Sequence, residues 1–165
     1  MLQLQQVLES GRFYGRTRTM ILLGAYQGLR VHEIAKIRGE DFTGDSLRVV
    51  GKGKVAADLP VHPVIAAEAA RYPAVGWWFP SPYCEGEPVT ANSVSGVISA
   101  ALRRSGVNAT AHQLRHHFGT EILRASGGNL RVAQELLRHA SPATTAVYTM
   151  IDDEQRRAAI LALPR

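Results

Sequence analysis

The residues best suited to chemistry are concentrated in AHQLRHHFGTEILRA, residues 111–125. His112 and Arg115 lie three apart, so a helix puts both on one face, with His116 on the same side and His117 beside it. At Phe118, Ile122 and Leu123 the stretch turns to ordinary apolar core spacing. A helix that only packs does not need imidazoles and a guanidinium together in its first turn. A helix that grips a phosphate does, because that turn already offers unpaired N–H groups and the positive end of the helix dipole. The turn reads as half of a phosphate-handling site.

Candidates for the other half are spread along the chain. Arg30 follows a helix-ending glycine in GLRVHEI, between two apolar helices and poorly placed for solvent. On local sequence alone, a structural ion pair with Glu33 or Glu40 is the slightly better reading of it. Lys52 sits in GKGK, where flanking glycines turn the backbone sharply and push an ammonium outward. A solvated basic turn and a mobile cation explain that pattern equally, and it is not a P-loop, since GxxxxGK[ST] is absent. His139 and Tyr148 come nine residues apart near the C-terminus.

The elements that must position these groups are mostly helical. Residues 16–27 form a helix ended by Gly28, and VHEIAKI forms a second with Val31, Ile34, Ala35 and Ile37 inward. Ser46 to Val50 and Val55 to Leu59 read as two strands of a hairpin, the second stopped by Pro60. His62 to Arg71 is a short helix with alanines on its inner side. Tyr72 to Pro88 is an ordered connector with Trp77, Trp78 and Phe79 packed inward. Thr90 caps a helix that Gly106 ends, with Arg103 and Arg104 near its C-terminus. After the 111–125 helix and a Gly127-Gly128-Asn129 turn come Leu130 to Leu137, a short helix from Ser141-Pro142 carrying Tyr148, and a terminal helix from Asp152-Asp153. Ala158, Ile160 and Leu161 give that last helix an apolar patch with little left to pack against, so it is a candidate to dock on a neighbouring molecule.

Bulk properties agree with a single domain. The 165 residues, 45% apolar, suffice for a proper core. A net charge of +5 suits a polyanionic partner, although many ordinary domains are as basic. One cysteine, Cys84, excludes an internal disulfide, fits a reducing compartment and reads as a small buried or loop side chain. No signal peptide is visible at the N-terminus, and Met20 to Leu29 is too short to span a bilayer.

Arg30, Lys52, His112, Arg115, His139 and Tyr148, in that order, together resemble the tyrosine recombinase family, the phage-integrase class of site-specific DNA recombinases. The matching segments are YQGLRVHEI, VVGKGK, AHQLRHHFGT and LLRHASPATTAVYT, and the resemblance spans residues 16–162. It implies a mainly α fold with a small antiparallel β-sheet (α+β), forming one catalytic domain over residues 1–165. Residues 150–165 would be the C-terminal helix that docks on a neighbouring protomer, and the family's N-terminal DNA-clamping domain would be absent. By position, Tyr148 resembles the nucleophile, Arg30, Arg115 and His139 the clamp on the scissile phosphate, Lys52 the general acid and His112 the pocket's second histidine. His116 matches a frequent family histidine without a catalytic role. Aligned on the glycines, Lys52 rather than Lys54 keeps the lysine position. Arg138 departs from the pattern, since LLRHA stands where the family often has LLGHS.

The implied activity is cleavage and rejoining of DNA strands through a 3′-phosphotyrosine, with no metal, cofactor or ATP. Two guanidiniums neutralise the charge that grows on the phosphate, and a lysine protonates the departing 5′-oxygen. The implied partner is double-stranded DNA, bound by a tetramer. The chain without DNA would be a monomer, away from membranes, in a bacterial or phage-infected cytoplasm. Zinc hydrolysis fits less well, because His112 and His116 have the spacing of HExxH but Gln113 replaces its glutamate. A non-cleaving DNA-binding module or regulatory fragment would be expected to lack a pocket residue, and none is missing.

Overall fold

A computed structural model describes residues 6–8, 13–51, 56–138 and 153–163. In chain order these form helices α1 (Gly15–Tyr26) and α2 (Val31–Ala35) and a 3-10 turn (Gly39–Asp41). Strands β1 (Ser46–Val50) and β2 (Ala56–Pro60) follow, then α3 (Pro63–Ala69), α4 (Ala91–Arg104), α5 (Ala111–Ala125), α6 (Leu130–Leu136) and α7 (Asp153–Leu161). Among the described residues the architecture is thus mostly helical with one two-stranded antiparallel sheet, as expected.

Helix α1 is the hub. Its residues from Thr19 to Tyr26 are all buried, so no polar face interrupts it and its sequence shows no amphipathic period. It packs against α5, α3, α4 and α2. Gly24 lets α5 approach closely, since a Cβ there would lie 3.2 Å from Leu114. Helix α5 faces it with Leu114, Phe118 and Ile122, all fully buried. The hairpin alternates cleanly: Leu47 and Val49 point into the core, while Arg48 and Val50 face out. Ser46 pairs with Pro60 and Val50 with Ala56, so Pro60 ends β2 from within the ladder instead of stopping it one residue earlier.

Several expectations change in detail. The inner side of α3 is Ile65 and Ala69 with Glu68, not a row of alanines. Glu68 is buried because it accepts hydrogen bonds from Thr19 Oγ1 at 2.7 Å and Arg18 Nε at 3.0 Å. Trp78 and Phe79 are buried, but Trp77 stays half-buried. Its indole N–H donates to the Gly86 carbonyl at 2.8 Å, and Arg38 lies 4.8 Å from its ring centroid. Cys84 is exposed on the connector, in agreement with the loop side of its reading. On α7 the buried apolar residues are Ala159, Ile160 and, just beyond its end, Leu163, while Leu161 is half exposed. This face covers the chain's own core beside α6, β2 and α5, so the apolar patch, which shares only Ile160 with the expected one, is not left without a surface to pack on. No helix among the described residues is long and apolar enough to cross a membrane.

Candidate phosphate-binding site

The site is assembled where the α1–α2 junction meets the first turn of α5 and the end of α6. Thr110 opens α5 with a reciprocal cap: its Oγ1 accepts from the Gln113 N–H at 3.4 Å, and Gln113 Oε1 accepts from the Thr110 N–H at 2.8 Å. This fixes the turn that carries His112 and Arg115. At the junction Gly28 has φ +62°, and a Cβ there would lie 2.4 Å from Phe118 Cδ1. Only glycine combines that backbone conformation with so close an aromatic ring. The Gly28 carbonyl then faces Arg115.

Arg115 is buried, and its two terminal nitrogens donate to the backbone carbonyls of Gly28 and Leu137. These bonds orient the guanidinium and leave three of its five N–H donors for a ligand. Burial, then the neighbouring cations Arg30 and Arg138, lower its pKa to about 10, against the opposing pull of Glu33. It therefore remains charged at neutral pH, in surroundings that favour the arrival of an anion.

Arg30 is the residue before α2. Glu33, three residues on, accepts from the Arg30 backbone N–H at 2.7 Å and from Arg30 Nη1 at 3.3 Å. The structural ion pair weighed for Arg30 is therefore present with Glu33. Glu40 instead pairs with Arg38 at 2.8 Å. Even so, the Arg30 side chain keeps 35% exposure, while that of Glu33 has none. Arg138 reaches the same carboxylate, with Nη2 2.6 Å from Glu33 Oε2. Burial lowers the pKa of Arg138, and Glu33 works against that shift. Three guanidiniums around one carboxylate leave an excess of two positive charges.

Leu29, Arg30, Val31, His32, Ser95, Thr110, Ala111, His112 and Arg115 line one open cleft of about 370 Å³. Arg30, His112 and Arg115 thus come together, although the first lies far from the other two in sequence. His112 Nε2 lies 2.8 Å from His116 Nε2, with the rings edge to face, so one imidazole donates and the other accepts. His117, expected beside them, is buried on the core side, and desolvation lowers its pKa. Lys52, Lys54, His139 and Tyr148 lie outside the described residues. The sequence reading missed the full part of Glu33, which tied it only to Arg30, and left Arg138 unassigned. The signal for Glu33 was its place three residues after the helix cap. The carbonyls of Gly28 and Leu137 had none.

A model of the phage integrase family matches residues 1–155. The chain belongs to that family. Among similar proteins, the tyrosine recombinase XerC of Brucella suis biovar 1 (strain 1330) is 32% identical, over 91% of this chain and 51% of its own length. The XerC of Methylobacterium nodulans (strain LMG 21967 / CNCM I-2342 / ORS 2060) is 37% identical, over 80% and 44%. The chain thus spans about half the length of the curated relatives it matches. Among solved structures, the integrase from mycobacterium phage Brujita superimposes with a TM-score of 0.85 at 44% identity, over 99% of this chain and 56% of that one. The XerH site-specific recombinase bound to palindromic difH substrate shares the fold, with a TM-score of 0.68 at 22% identity over 85% and 45%. Membership of the family agrees with the mostly helical fold and its small antiparallel sheet.

Proposed function

We propose that this chain is the catalytic domain of a tyrosine site-specific recombinase, which cleaves and rejoins double-stranded DNA through a 3′-phosphotyrosine. The observation that carries the reading is the cleft in which Arg30, His112 and Arg115 meet with an excess of positive charge. A phosphodiester is a poor electrophile because it is already negative. Guanidiniums held in fixed orientation stabilise the further charge of the pentavalent transition state without reorganising, and removing one such donor costs about 10²- to 10³-fold in rate. Arg115, oriented by two carbonyls, and Arg30, still partly exposed, suit that task.

By sequence position, Tyr148 is the nucleophile. Its hydroxyl gives up its proton to solvent and its oxygen bonds to phosphorus as the bond from phosphorus to the 5′-oxygen breaks, while the Lys52 ammonium gives the leaving oxygen its proton and is later reprotonated from solvent. His139 completes the clamp, and His112 lies at the cleft as the second histidine. Attack by a 5′-hydroxyl of the partner strand reverses these steps and reseals the backbone, so the phosphotyrosine conserves the bond energy and no ATP enters. The working unit is a tetramer on two duplexes, formed from chains that are monomers without DNA. Residues 150–165, although α7 covers the chain's own core in this structure, are the element that would pass between neighbours on assembly, and the compartment is the cytoplasm of a bacterial or phage-infected cell.

A suicide duplex, nicked beside a candidate cleavage site, tests this on a denaturing gel. A slower protein–DNA band for the wild type and none for Tyr148→Phe is the expected result. A band that survives Tyr148→Phe removes the tyrosine from the nucleophile's role. No band from either protein, on DNA that both bind, points to a binding module that does not cleave.

A further inference from the structure

Arg138 occupies a position where its backbone gains nothing from being arginine. It follows the end of α6 with φ +51°, the left-handed region that glycine enters freely and any residue with a Cβ enters at a cost. What its side chain gains is Glu33. The Nη2 nitrogen lies 2.6 Å from Glu33 Oε2, across 105 residues of sequence, and Nη1 donates to the Leu136 carbonyl at 3.3 Å. The Arg138 side chain is itself only 12% exposed.

Glu33 must have a partner. Its side chain is fully buried, and a buried carboxylate without a counter-ion is strongly destabilising. Two guanidiniums are within reach, and they are held differently. Arg138 makes the short contact from a buried side chain, whereas Arg30 makes the longer one, 3.3 Å, from a side chain that is 35% exposed at the cleft. If Arg30 were the sole counter-ion, each approach of Arg30 to a phosphate would strand a buried charge.

We propose that Arg138 is a positioning residue, whose ion pair with Glu33 keeps that carboxylate satisfied and so leaves the Arg30 guanidinium available to the phosphate in the cleft. It touches neither the reacting atoms nor the DNA. The same contact ties the end of α6 to the α1–α2 junction, alongside the bond from Arg115 to the Leu137 carbonyl, and the next residue in the chain is His139. The inference rests on the cleft being the phosphate site.

A cycle of Arg138→Met, Glu33→Gln and the double variant tests it on the full 165-residue chain. On the suicide duplex, Arg138→Met slows covalent-complex formation by about 10- to 100-fold, the usual penalty for a misplaced catalytic group. In the Glu33→Gln background, where no buried carboxylate needs a partner, the same substitution does much less, a coupling of about tenfold. Equal losses in both backgrounds overturn the proposal. So does a DNA-affinity salt slope that falls by about one in Arg138→Met, the sign of a direct phosphate contact.

Two readouts do not depend on cleavage. Inorganic phosphate, titrated against the arginine side-chain NMR signals, binds more weakly to Arg138→Met than to the wild type, and the deficit shrinks in the double variant. Thermal unfolding puts the double variant above Arg138→Met, because both buried charges are gone. If the wild type makes no covalent complex, the recombinase reading fails while these two still judge Arg138. Unchanged phosphate binding in Arg138→Met refutes its role even if the protein recombines DNA.

Discussion

Gly28 joins the fold to the site, and replacing it by alanine separates two effects that sequence cannot distinguish. The first is conformational. At φ +62° a Cβ meets the following carbonyl oxygen, which costs about 1 to 2 kcal/mol, less the few tenths recovered from a stiffer unfolded chain. The second is steric. The new Cβ would stand 2.4 Å from Phe118 Cδ1 and 2.7 Å from Cε1, far inside contact distance, against a ring with no exposure of its own. Overpacking of this kind adds about 1 to 3 kcal/mol, so Gly28→Ala loses about 2 to 4 kcal/mol in all. Gly127 supplies the internal control. It has φ +64° and nothing within 4 Å of a built Cβ, so Gly127→Ala bears only the first cost, about 1 kcal/mol. Urea unfolding followed by circular dichroism measures both. Adding Phe118→Leu to Gly28→Ala makes room for the methyl, so the pair loses less than the two single changes together. The Gly28 carbonyl also orients Arg115, so phosphate binding by Gly28→Ala weakens even where the protein remains folded. Equal destabilisation of Gly28→Ala and Gly127→Ala refutes the reasoning, because it means that Phe118 yields without cost.

Two further outcomes follow from buried polar groups away from the cleft. Glu68→Ala removes the acceptor of both Thr19 and Arg18 and lowers stability by about 2 to 3 kcal/mol. Glu68→Gln, which keeps an acceptor for Thr19, loses less, and chemical denaturation of the two variants ranks them. His117 makes stability depend on pH. Burial lowers its folded pKa below the 6.5 of the free imidazole, so as the pH falls through 6.5 the unfolded chain takes up a proton that the folded chain resists. Stability therefore declines from about pH 6.5 downward until the folded pKa is passed. In His117→Phe this part of the decline disappears from unfolding curves taken between neutral and acid pH, and an unaltered profile argues against it.

The helices and hairpin were legible because local chemistry marks them. Gly28, Gly106 and Gly127 end helices, Thr90 starts one, and the alternation of Leu47 and Val49 with Arg48 and Val50 declares a half-buried strand. Helix α1 was legible in extent but not in orientation, because all its sides are buried and periodicity carries no information there. The terminal helix shows the opposite failure. The expected and observed apolar sets share Ile160, and only contact with α6, β2 and α5 selects Ala159 and Leu163 over Ala158 and Leu161. Trp77 was placed inward by composition, but Arg38 and the Gly86 carbonyl hold it at the surface.

At the site, residue types and spacing nominated His112 and Arg115, since cations clustered at a helix start are unusual without an anion to meet, whereas Arg30 read locally as a structural ion pair and joined them through the family pattern. Their family pattern carried Lys52, His139 and Tyr148 with them. What the sequence could not contain is which charge answers which. Glu33 was visible as the neighbour of Arg30, but Arg138 is 105 residues from it, and two backbone carbonyls decide how Arg115 points. Local spacing determined the elements and nominated the cations. Only the tertiary structure decided their pairing, because a guanidinium's partners are chosen by the carboxylates and carbonyls that folding buries beside it, and burial is a property of the whole chain.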